Sequence, residues 1–175
     1  MIQFDRLDTI THDCVDIWNI TEVCNRAIAE ETMKYIGQTI SSDSTSSLSE
    51  DSLLDRNANN TKKLLGEIEK VLVYRNLAMV GDPWGQIHRK YEATEMHHHG
   101  DSDVAWVYYV RVPEDSGLLI FSQFQGWTSK IDIKHYPVVG QLVMIPGWMV
   151  HRVTKNFNDI PRISIAGNAN YIKEY

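Results

Sequence analysis

Cysteine is scarce: only Cys14 and Cys24 occur in 175 residues. Two thiols do not build a disulfide scaffold or a four-ligand structural zinc site. Both are expected to be reduced and partly buried. Basic residues are the minority charge, 17 Lys and Arg against 23 Asp and Glu, for a formal net charge of −6. That balance lacks the footprint of a general nucleic-acid binder, so nucleic acid is not an expected partner. No apolar run approaches the roughly 20 residues of a membrane span. The opening Met1-Ile2-Gln3-Phe4-Asp5-Arg6 has no basic stretch leading into an apolar one, so a secretory leader is not expected either. The expected compartment is the cytoplasm, without a membrane partner. What remains, 43% hydrophobic and 23% charged residues, is an ordinary globular composition. The length suits a single domain over residues 1–175.

The chain changes character near residue 80. Residues 1–80 read as helical support. The segment Thr21–Ile36 predicts a helix with Val23, Ala27, Ile28, Tyr35 and Ile36 inward. Asn59–Arg75 predicts a clearer one, with Asn60 as cap and Leu64, Leu65, Ile68, Val71 and Leu72 on one stripe. The serine-rich run at 41–47 has no apolar period and reads as a solvated loop. Residues 82–175 read as strands and turns. The predicted strands are Gly85–Tyr91, Val104–Val112, Leu118–Gln125, Lys130–Ile133, Gln141–Ile145, His151–Thr154 and Arg162–Ala166. Short strands at this spacing predict a mainly β sandwich or jelly roll, not a parallel sheet with crossover helices.

Three histidines stand in a row, His97-His98-His99. Neutral imidazole is the commonest protein ligand for first-row metals. On a strand, His97 and His99 share a face, and Asp101 continues the same parity. Gly140-Gln141-Leu142-Val143-Met144-Ile145-Pro146-Gly147-Trp148-Met149-Val150-His151 is an apolar strand, a turn and then a further His. A double-stranded β-helix metal site receives its distant ligand in this way, and three facial ligands leave positions open for a cosubstrate and O₂. Eleven residues later comes Arg162-Ile163-Ser164. An Arg fork with a hydroxyl two residues on, hence on the same face, suits the far carboxylate of a dicarboxylic cosubstrate.

Together, Trp84-Gly85-Gln86-Ile87-His88, His97-His98-His99, Val107-Tyr108-Tyr109-Val110, Gly140…Pro146…His151 and Arg162-Ile163-Ser164-Ile165 resemble the 2-oxoglutarate/Fe(II) oxygenase family of bacteria and phages. The resemblance covers about residues 82–170. It implies a double-stranded β-helix (jelly roll, cupin-like) with flanking N-terminal α-helices. It implies Fe(II) bound by His97, His151 and one more ligand, and 2-oxoglutarate held by Arg162 with Ser164 and Tyr109. The third ligand is open between two registers. His97-x-His99 matches the family's His-x-His when counted back from Val107. His99-Gly100-Asp101 is the His-x-Asp of most 2-oxoglutarate oxygenases, with Asp101 substituting for one His.

The function implied is a dioxygenase that hydroxylates a substrate and releases succinate and CO₂. The alternative is a cupin-like metal- or sugar-binding module without oxygenase activity, which an all-His ligand set also fits. The primary substrate is not specified by these residues. Trp127, Trp148, Gln123 and Gln125 are candidate rim residues for a peptide, a nucleoside or a sugar, and Trp106 is expected in the core. The apolar surface of the N-terminal helices makes a homodimer a further expectation.

Overall fold

The computed structural model describes residues 14–39, 54–125 and 129–173. Two antiparallel sheets face each other, and two helices cover the outer face of one of them. The larger sheet has the order β1-β7-β4-β9-β2. Its strands are β1 (Asp16–Asn19), β7 (Gln141–Pro146), β4 (Val104–Arg111), β9 (Arg162–Tyr171) and β2 (Leu77–His88). The smaller sheet runs β3-β8-β5-β6, formed by β3 (Thr94–His97), β8 (Val150–Val153), β5 (Leu119–Gln125) and β6 (Ser129–His135). This is the jelly roll expected, with α1 (Asn25–Thr39) and α2 (Asn59–Tyr74) on its flank.

Side-chain alternation on the larger sheet separates two cores. Val104, Trp106, Tyr108 and Val110 of β4, Leu142 and Met144 of β7, and Ile163 and Ile165 of β9 face the helices. They meet Ile28 and Ala29 of α1 and Leu64, Ile68, Val71 and Leu72 of α2. Trp106 thus lies in the core, as expected. Its indole needs the space beside Gly167, where an added Cβ would come within 2.3 Å of the ring. The intervening residues, among them Ala105, Tyr109, Val143 and Ile145, meet Leu119, Phe121 and Met149 between the sheets.

Several local expectations need correction. Asn60 does not cap α2; the cap position is Ala58, which makes no side-chain bond. Glu31 of α1 takes that role from outside the helix. Its carboxylate accepts from the backbone N–H of Asn60 (3.2 Å) and Thr61 (2.9 Å), and from both their side chains. An anion there satisfies first-turn N–H groups and complements the helix dipole. Burial raises the Glu31 pKa, yet these four bonds outweigh it and hold the carboxyl below its ordinary value. The strand predicted from Gly85 begins at Leu77, because a register shift between Val80 and Trp84 absorbs Gly81 and Pro83 without ending β2. Gly81 there has φ +66°, the left-handed region open to glycine. β1 was not predicted, and it is only four residues long. Both cysteines are exposed rather than partly buried. The 41–47 run and the side chains of Tyr35 and Ile36 lie outside the described residues.

Candidate metal and cosubstrate site

Hydrogen bonding to β8 sets the histidines in place. His97, the last residue of β3, is the direct partner of His151 on β8, and their rings are 4.3 Å apart between centroids. His99 does not arrive on the same strand. The chain turns over residues 98–103, so the strand parity expected for His97 and His99 does not apply. The turn is held by the β7–β8 connection: His99 N–H donates to the Gly147 carbonyl (2.7 Å), and Gly147 N–H donates to the Asp103 carbonyl (2.9 Å). Gly147 fits because it has no side chain; a Cβ there would lie 1.8 Å from the Ser102 oxygen. The His99 ring stacks on Trp84 at 6.0 Å and 16°.

One ligand atom from each of His97, His99 and His151 lies within 4.8 Å of the others. Two tautomers follow from their partners. His97 Nδ1 is 2.8 Å from the Glu95 carbonyl and His151 Nδ1 is 2.9 Å from the Met149 carbonyl. A carbonyl only accepts, so each Nδ1 carries the proton and each Nε2 keeps its lone pair for a metal. Burial pushes the pKa of His99 and His151 down to about 4, with the neighbouring imidazoles adding to the effect. Both are neutral near pH 7, the form that ligates. His98 is exposed, and its Nδ1 accepts from Gly100 N–H. Asp101 is exposed on the turn and is not part of the cluster.

The cluster opens into a cavity between the sheets, whose lining includes Trp84, Gln86, Thr94, Tyr109, Arg162 and Ser164. Arg162 is 1% exposed. Its Nη2 reaches His88, but its Nε and Nη1 have no protein partner among the described residues, nor has Ser164 Oγ. Burial lowers the pKa of Arg162, with Tyr109 opposing. A guanidinium this deep needs an anion. Tyr109 is pushed up to about 12 by burial, against the influence of Arg162, so its hydroxyl keeps its proton. Tyr109 and Ser164 are direct strand partners, and Gln86 faces Ser164 from the other side. The residues present fit a chelated metal with a carboxylate-bearing ligand beside it.

A family profile described as "Putative 2OG-Fe(II) oxygenase" matches residues 82–168. Through these residues the chain belongs to the 2OG-Fe(II) oxygenase family. It is therefore an enzyme whose cofactors are iron and 2-oxoglutarate, in keeping with the His cluster and the buried guanidinium of Arg162. No curated protein matches the chain. Among solved structures, the non-heme alpha ketoglutarate dependent epimerase SnoN from nogalamycin biosynthesis aligns at TM-score 0.66 and 12% identity, over 89% of this chain and 77% of that one. A prolyl hydroxylase from Trichoplax adhaerens, in complex with a hypoxia inducible factor peptide fragment, aligns at 0.64 and 13%, over 91% and 84%. A Pseudomonas putida prolyl-4-hydroxylase aligns at 0.50 and 19%, over 85% and 81%. At these identities the likeness is one of fold.

Of the proposed rim residues, Trp148 is exposed and borders a separate surface groove with Cys14 and Arg75. The side chains of Gln123 and Gln125, and all of Trp127, lie outside the described residues. Sequence reasoning assigned no role to Trp84, Gln86 and His88, although they sit in a motif it used. Their alternation was the available signal: 84, 86 and 88 share one face of β2. Thr94 gave no signal of its own, and Pro146-Gly147 read only as a turn. No helix among the described residues is long and apolar enough to cross a membrane.

Proposed function

We propose that the protein is a dioxygenase that hydroxylates a substrate while converting 2-oxoglutarate to succinate and CO₂. In this reading His97, His99 and His151 hold Fe(II) through their Nε2 atoms, and His99 rather than Asp101 is the third ligand. Arg162 binds the C5 carboxylate of 2-oxoglutarate, with Ser164 and Tyr109 donating hydroxyls to it. The observation that carries the reading is a buried Arg162 whose Nε and Nη1 have no partner among the described residues, in the same cavity as three convergent imidazoles.

Iron supplies a redox-active Lewis acid where cosubstrate and O₂ react. The chain supplies the rest. The Glu95 and Met149 carbonyls orient two imidazoles by taking their Nδ1 protons. Arg162 fixes the far end of the cosubstrate, and so the direction in which its 2-oxo acid end points. Val107, Val143 and Ile145 give the cavity an apolar wall that displaces water from the reacting centre. A cupin-like binding module is not favoured, since the family match points to an oxygenase and that module leaves Arg162 without an anion.

Succinate measurement tests the reading. Protein given Fe(II), 2-oxoglutarate and air should release succinate slowly even without its primary substrate, and the His151→Ala variant should not. If the parent neither binds 2-oxoglutarate anaerobically nor forms succinate, the proposal fails.

A further inference from the structure

His88 ends β2 directly opposite Arg162 on β9. It has no solvent exposure. Its Nδ1 lies 3.1 Å from Arg162 Nη2, and its Nε2 lies 2.7 Å from Thr94 Oγ1. Arg has only donors, so Nδ1 must accept. The ring proton therefore sits on Nε2 and is donated to the Thr94 hydroxyl. Asn156, itself buried, donates its Nδ2–H to the His88 carbonyl at 2.8 Å and fixes the backbone at this point. The resulting chain, Thr94–His88–Arg162, is built in one direction only.

We propose that His88 is a positioning residue that aims the Arg162 guanidinium at the cosubstrate carboxylate. The inference rests on the assignment of Arg162 made above. A free guanidinium turns about its Cδ–Nε bond and can present several edges. With Nη2 tethered to His88, the plane is fixed, and Nε and Nη1 remain as the donors without a protein partner among the described residues. The tether must be neutral, since an imidazolium would present a proton and a charge to Arg162. Burial, reinforced by the charge of Arg162, pushes the His88 pKa down to about 3. The acceptor therefore persists across the working pH range.

Calorimetric titrations of Fe(II)-loaded protein without oxygen test this with two ligands, 2-oxoglutarate and 2-oxobutyrate, which lacks the C5 carboxylate. His88→Leu removes the acceptor and should weaken 2-oxoglutarate roughly ten- to a hundredfold, the range expected for losing one hydrogen bond to a charged group. It should leave 2-oxobutyrate within about twofold. His88→Asn puts an amide oxygen near the position of Nδ1 and should restore most of the affinity, whereas His88→Gln, which reaches toward Thr94 instead, should not. In an Arg162→Ala background, His88→Leu should add no further loss. The Asn and Gln pair carries the test if the Leu variant does not fold. Equal weakening of both ligands, or full additivity with Arg162→Ala, would make His88 merely structural and overturn the proposal. So would unchanged 2-oxoglutarate affinity in His88→Gln when Arg162→Ala has lost it. If Arg162→Ala itself binds 2-oxoglutarate like the parent, the assignment of Arg162 has failed and the positioning role falls with it.

Discussion

Gly147→Ala should disable metal binding although residue 147 touches no metal. The added methyl would lie 1.8 Å from the Ser102 carbonyl oxygen and 2.6 Å from that of His99. Both are backbone atoms, so no rotamer change relieves the contact. Reaching ordinary van der Waals distance needs a displacement of about 1.5 Å. The turn at 98–103 must then move, and the His99 N–H bond to the Gly147 carbonyl moves with it. Metal–ligand distances tolerate only about 0.2 Å, and losing a contact that orients a ligand costs about ten- to a hundredfold in metal affinity. We therefore expect the Fe(II) dissociation constant to rise about ten- to a hundredfold, with about 1–3 kcal/mol of stability lost to overpacking. Gly167→Ala is the matched control. Its methyl would meet the Trp106 indole at 2.3 Å, on the helix-facing side. It should lower the melting temperature comparably and leave metal affinity within about twofold. Anaerobic metal titrations and thermal melts of both variants decide the matter. A folded Gly147→Ala protein that binds iron like the parent would refute the reasoning. Equal loss of metal in both variants would mean that global destabilisation, not the turn, is responsible.

His97→Ala and His151→Ala should each lose most metal affinity. Between His99→Ala and Asp101→Ala only the former should, and metal retention after desalting is the measurement. Arg162→Ala should raise the apparent 2-oxoglutarate constant roughly tenfold to a few hundredfold with metal affinity near parental, and Arg162→Lys should recover part of it because charge survives without the fork. Glu31→Gln should lower the stability of the helix pair by roughly 1 kcal/mol at neutral pH, the usual scale of a lost cap. The Glu31 pKa is depressed in the folded state. Its contribution is therefore complete above the ordinary carboxylate value and disappears as pH falls through the lower folded value, so melting curves of parent and variant should converge in acid.

The strands and the chemistry-bearing residues were legible because both follow local rules. Short apolar runs between turn residues marked β4, β7 and β9, and the set His97, His99, His151 and Arg162 came from the family resemblance together with strand parity. The path by which His99 enters was not legible. Parity with His97 put it on a strand, whereas it comes from a turn whose shape depends on Gly147, a residue 48 positions away along the sequence (147 against 99). The α2 cap failed for a related reason. Asn60 is a good capping residue by type, but a carboxylate from another helix occupies that role. Tertiary partners of this kind leave no periodic mark. Strand ends were misplaced where a bulge, as at Gly81–Pro83, imitates a break.

The alternation on the larger sheet has an evolutionary consequence. On β4, the residues that dock the helices and those that line the cavity are interleaved, one after the other. Cavity positions border empty space, so changes of volume there meet less resistance than in a filled core. Val107 and Val143, which line the cavity without belonging to the proposed anchoring set, are the natural places for drift. A lineage can reshape what enters this cavity by single substitutions while the helix-facing layer, and with it the fold, is inherited unchanged.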